Sequence, residues 1–175
     1  YHQIVGSVLG AFLFGIVVFL IKRPEFNATS FLLAMVAGAS WVVGQCGQYY
    51  SYAKVGVSET MPISTGLQLI GVPLVGVLIF GEWASTQAKL FGFLGILALI
   101  IGVAFTSLTD KGTAEGGKKN QTTTMIVLVL TTLGYIASSS IPKALKGDGV
   151  MIFLGQTIGM LIATLVYIVA SKQLK

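Results

Sequence analysis

The chain has 175 residues, of which 54% are hydrophobic and only 10% charged, and its mean hydropathy is +0.86. No soluble domain of this length hides so much apolar surface in one core, so lipid is the expected solvent, and the same content excludes collagen and disorder. The formal charge of +5 is scattered over short segments between apolar runs rather than gathered in one patch, which excludes nucleic-acid binding.

A bilayer core about 30 Å thick needs about 20 apolar residues of helix, and the sequence offers six such stretches. The first runs from Ile4 to Ile21. No basic segment precedes it, so it is not a signal peptide, and a chain opening on Tyr1 is expected to be a fragment of a longer protein.

The second span, Ser30 to Ala53, carries Trp41, Gln45, Gln48 and Tyr52 at spacings of four, three and four, which places them on one helical face. In hydrocarbon an uncharged polar side chain must find a partner in another helix or in a ligand. Amides donate to and accept from hydroxyls, and aromatic rings offer a platform for the C–H face of a sugar. The competing reading is glutamines bonded between helices with interfacial aromatics. Cys46, the sole cysteine, sits in this run and reads as a small buried residue with no internal disulfide.

The third span, Pro62 to Phe80, opens with Ser64 and Gln68 one turn apart, flanked by Thr65 and Gly66. Pro62 suits a first helical turn, which Ser58 or Thr60 would cap. Pro73 removes a backbone donor mid-span and is expected to kink the helix, as proteins tolerate where a cavity or neighbour satisfies the freed carbonyl. The fourth span covers Leu90 to Leu108, and the polar segment Thr109 to Thr124, rich in Gly, Lys and Thr, reads as a linker between halves. In the fifth span, Met125 to Ile141, Tyr135, Ser138 and Ser139 continue the polar theme and Pro142 is expected to end the helix. The sixth runs from Val150 to Ala170.

All seventeen charged groups lie outside these spans or at their edges, as the cost of burying a charge in hydrocarbon requires. Lysine and arginine divide six to five between the two sides, so charge does not set the orientation. The first and sixth spans share a register: an offset of 153 residues aligns Gln3 with Gln156, Gly6 with Gly159 and Gly10 with Ala163. A repeat of five spans crosses the membrane an odd number of times, so its second copy is inverted. The expected domains are therefore residues 1–108, most of a first half, and 125–175, the start of a second, joined by the linker at 109–124. The fold class is all-α, a polytopic transmembrane bundle with six spans of a ten-helix, five-plus-five inverted repeat.

Four segments carry a family resemblance: GQCGQ at 44–48, SETMPISTGLQLIG at 58–71, FGEW at 80–83 and GFLGILALIIGVAFTS at 92–107. Together they resemble the bacterial glucose uptake proteins, of the glucose/ribose porter family in the drug/metabolite transporter superfamily. The resemblance covers the whole chain, from the second helix to the seventh of ten. It implies monosaccharide uptake coupled to protons, in a cell-membrane protein whose intact form has both termini in the cytosol. The first helix and the last three of that pattern are not in this sequence.

The candidate substrate-binding residues are Trp41, Gln45, Gln48, Tyr52, Ser64, Thr65, Gln68, Tyr135 and Ser138. A proton relay needs a carboxylate, and Glu59 and Glu82, both near helix ends, are the candidates. The expected partners are a monosaccharide, protons, the bilayer and the remaining helices of the full-length protein, with no cofactor and no metal. The runner-up function is a drug or metabolite exporter of the same superfamily, since fold alone does not choose the solute. An enzyme is not expected: Asp110 and Asp148 lie in connections and His2 stands alone.

Overall fold

The computed structural model describes residues 2–107 and 118–171. They form six helices: α1 (His2–Lys22), α2 (Ala28–Val55), α3 (Val57–Leu78), α4 (Thr86–Ser107), α5 (Lys118–Ala144) and α6 (Gly149–Ala170). Each contains a stretch long and apolar enough to cross a membrane.

The pattern of burial is that of a protein dissolved in lipid. Among the described residues, eleven buried polar side chains stand beside eleven buried apolar ones. Leu13, Leu20, Ile21, Leu78 and Phe91 meanwhile point outward. In water such an exterior would drive aggregation. Against hydrocarbon it costs nothing, and hydroxyls instead collect where other helices can bond them.

Helix boundaries depart from expectation, most of all at the starts of α3 and α5. α3 begins at Val57, five residues ahead of Pro62, and neither Ser58 nor Thr60 caps it by side chain. Gly56 takes the cap position at φ 88° and ψ 163°, a region open to glycine alone, so the chain turns from α2 into α3 on one residue. Thr60 serves the joint differently, its hydroxyl donating to the Gly56 carbonyl at 2.7 Å. α3 then runs unbroken through Pro62 and Pro73. α5 starts at Lys118, so residues 118–124 of the expected linker are helical, while 109–117 lie outside the described residues. The glycines of that segment end at Gly117, and no breaker follows them. α5 also continues two residues past Pro142, to Ala144.

Packing divides the chain into two compact units, Tyr1–Gln45 with Ala137–Lys175, and Cys46–Ile136. In the first unit α1 packs on α6, and α6 meets α2 backbone to backbone. A Cβ added at Gly159 would fall on the Met35 carbonyl oxygen, and one at Gly38 on that of Gln156. The α6 residues that make this approach are Gly155 and Gly159, one turn apart, with Gly155 over Phe31 and Ala34. Gly6 and Gly10 on α1 face open space. Connecting loops close this unit: Asn27 Oδ1 accepts from Ser30 N, Ser30 Oγ donates to the Lys146 carbonyl at 2.6 Å, and Asp148 caps α6.

In the second unit α3 packs on α4 through Gly66, which seats the Val103 side chain. The turn between them is fastened by the FGEW segment. Gly81 adopts φ 63°, Glu82 lays its carboxylate over Gly76, and the Trp83 indole lies on Gly92 and against the Phe93 ring at 5.4 Å.

Candidate functional site

The polar residues of the second unit gather on α5. Gly47, having no side chain, admits Thr131. Thr131 is itself turned by bonds from its hydroxyl to the Val127 and Leu128 carbonyls. This approach brings the next residue, Gln48, to Tyr135, whose phenol donates to Gln48 Oε1 at 2.7 Å. Both are buried, at 8% and 6% exposure.

One turn away on α5, Thr132 Oγ1 lies 3.4 Å from Ser64 Oγ of α3, and Gln68 Nε2 donates to that serine at 3.3 Å. The direction of the bonds follows from the end of the chain. Thr132 donates its proton to the Leu128 carbonyl at 2.7 Å, so its oxygen is the acceptor for Ser64, and Ser64 in turn accepts from Gln68. The result is a one-way relay from amide to serine to threonine to backbone, in which each bond polarises the next. No charged group takes part. Such a surface suits hydroxyls of a neutral solute, which both donate and accept.

The other expected site residues fall elsewhere. Tyr52, half-buried, donates to Met61 Sδ at 3.1 Å near the Gly56 joint and stacks at 5.7 Å from Tyr49. Thr65 is exposed and lines an apolar groove of about 870 Å³ between α3 and α4, with Met61, Leu69, Ala98 and Gly102. Trp41 and Gln45, both half-buried, and the buried Ser138 belong to the first unit, where the Ser138 carbonyl accepts from Gln156 Nε2 at 3.1 Å. Glu59 is half-buried in the first turn of α3, where the helix dipole favours an anion. Glu82 is exposed. Sequence reasoning missed Thr132, although its spacing of three from Tyr135 puts both on one face of α5.

The model of the family described as "Sugar transport protein" matches residues 1–175. The chain belongs to this family. A Lactobacillus johnsonii protein whose name refers to sugar uptake is 64% identical over 174 residues, covering 99% of this chain and 61% of that protein. The glucose uptake protein GlcU of Bacillus subtilis is 36% identical over 167 residues, 95% of this chain and 58% of its own length. A Latilactobacillus sakei protein whose name refers to ribose uptake is 37% identical over 167 residues, 94% and 56% respectively. The chain thus spans about three fifths of the length of the curated relatives it matches. No solved structure shows significant similarity to it. Six apolar helices in a sugar transport family make this a multi-pass protein of the bacterial cell membrane.

Proposed function

We propose that this chain is the larger part of a secondary active transporter that takes up a neutral, glucose-like monosaccharide with protons. The observation that carries the reading is the uncharged amide and hydroxyl cluster of Gln48, Tyr135, Gln68, Ser64 and Thr132, set in apolar spans of a chain from a sugar transport family. A neutral polyol offers hydroxyls to both amides and carries no charge that would need a counter-ion in hydrocarbon. Tyr52 is a further candidate in the second unit, and Trp41, Gln45 and Ser138 are candidates in the first unit. Glu59 is the proposed coupling carboxylate, being the less exposed of the two candidates.

A five-plus-five inverted repeat is the architecture that goes with this function. It is supported by the shared register of α1 and α6 and by their packing on each other, with Gly15 of α1 seating Thr157 of α6. Export of an apolar metabolite is the second reading, favoured by the groove beside Thr65, whose lining is almost wholly apolar.

The test is binding of labelled glucose to the purified full-length carrier. Gln48→Ala removes an amide from a water-poor site, where an unpaired partner costs about 1 to 3 kcal/mol, so affinity should fall roughly 5- to 150-fold. Thr65→Ala should leave it unchanged. Wild-type affinity in a folded Gln48→Ala protein refutes the sugar site, and loss of binding on Thr65→Ala alone would transfer the substrate to the groove.

A further inference from the structure

A glutamine amide has almost the same shape whichever way it faces, yet turning it over exchanges two N–H donors for a carbonyl acceptor. A glutamine that reads a hydroxyl therefore has no intrinsic sense, and a neighbour must supply one. For Gln48 the neighbour is Tyr135. Their separation of 2.7 Å is the length usual for O–H···O and shorter than the usual N–H···O bond, so the carbonyl end of the amide faces the phenol. That commits Nε2, with both its protons, to the other side.

Gln68 is committed in the opposite sense. Its Nε2 donates into the relay through Ser64 and Thr132, which ends on the Leu128 carbonyl. A backbone carbonyl cannot become a donor, so the relay does not reverse, and the amide oxygen of Gln68 is left to accept. Both amides are thus oriented by side chains of one turn of α5, Thr132 and Tyr135.

We propose that Tyr135 is a specificity-determining positioning residue: by holding the Gln48 carbonyl it makes that amide present only N–H donors, so that the substrate hydroxyl beside it is read as an acceptor. This rests on the sugar-binding reading and deepens it. In this role Tyr135 acts through Gln48.

The test compares glucose with its monodeoxy and monofluoro analogues at each ring position, measuring affinity for the purified full-length carrier. Replacing a hydroxyl by hydrogen removes donor and acceptor together, whereas fluorine keeps a weak acceptor and loses the donor. At the position read by Gln48 the fluoro sugar should bind several-fold better than the deoxy sugar. In Tyr135→Phe, which keeps the ring and removes the phenolic oxygen, the amide is free to turn. Glucose affinity should then fall about 3- to 10-fold, as for one lost hydrogen bond, and the difference between fluoro and deoxy sugars should narrow at that position alone, because the freed amide must give up its other orientation to keep an N–H on the fluorine. In a Gln48→Leu background, Tyr135→Phe should change affinity no further. A fluoro–deoxy difference that Tyr135→Phe leaves unchanged overturns the proposal, as does an equal loss of affinity with and without Gln48. A wild-type carrier that binds none of these sugars overturns the sugar reading and this inference with it. Binding with the difference untouched overturns this inference alone.

Discussion

The backbone contact between α2 and α6 allows a direct comparison of one chemical change at two sites. Gly159→Ala adds a methyl group that would overlap the Met35 carbonyl oxygen and lie 2.6 Å from the Met35 carbonyl carbon and Cα. Ordinary contact to a Cβ begins near 3.4 Å, so the helices must part by more than about 1 Å, and a backbone cannot swivel aside as a side chain does. Overpacking of this kind costs about 1 to 3 kcal/mol, against a gain of about 0.8 to 1 kcal/mol from helix propensity. Gly10→Ala makes the same change where nothing lies within 4 Å, and should keep the propensity gain. The two alanine variants should therefore differ by about 1 to 3 kcal/mol. Equilibrium unfolding of the chain in micelles, followed by far-ultraviolet circular dichroism, measures both. A Gly159→Ala variant as stable as Gly10→Ala would refute the close approach of α2 and α6.

Gly56→Ala places a side chain in a glycine-only backbone region and should cost about 1 to 3 kcal/mol in the same unfolding assay; no loss would mean that the α2–α3 turn has another geometry. Gly92→Ala should push the Trp83 indole off its seat and red-shift its emission in a Trp41→Phe background, whereas an unchanged spectrum contradicts the FGEW arrangement. Thr132→Val removes the end of the relay and should weaken glucose binding by the full-length carrier about 3- to 10-fold, and unchanged affinity would exclude Ser64 and Gln68 from the site. If Glu59 carries the proton, Glu59→Gln should abolish the dependence of uptake on the pH gradient while leaving sugar exchange intact; persistence of gradient-driven uptake assigns coupling elsewhere.

The six spans were legible because crossing hydrocarbon demands about 20 apolar residues, a constraint that acts on composition alone. Their facings were less so. Ser64 and Thr65 are neighbours in sequence but about 100° apart around the helix, and in a span apolar all round no amphipathic stripe says which one turns inward. The structure sends Ser64 to α5 and Thr65 to the groove. The glycines of α6 did not name their partner, since a small residue marks a notch and not what fills it. The start of α3 was misplaced because Ser58, Thr60 and Pro62 imitate a capped first turn, while the turn itself depends on one positive φ at Gly56. Thr132 escaped notice because a threonine in a membrane helix commonly bonds back to its own backbone. It does so here, and that bond is what gives the relay its direction.

The single-residue joint at Gly56 also has a mechanical meaning. Its N–H donates to the Tyr52 carbonyl at 3.1 Å and its own carbonyl accepts from Thr60, so both backbone groups of Gly56 are bonded within the joint. With no spare residues to absorb motion, the last turns of α2 and the first turns of α3 act as two arms on a hinge with two dihedral angles. Gln48 lies eight residues before the hinge and Ser64 eight after it, which makes each arm about 12 Å long at 1.5 Å per residue. A rotation of about 10° at Gly56 would carry the end of either arm about 2 Å, more than a hydrogen bond can stretch. Opening this hinge would thus pull the Gln48 and Ser64 hydrogen bonds on α5 apart at nearly equal distances, so that a small turn in one glycine releases both sides of the polar cluster together.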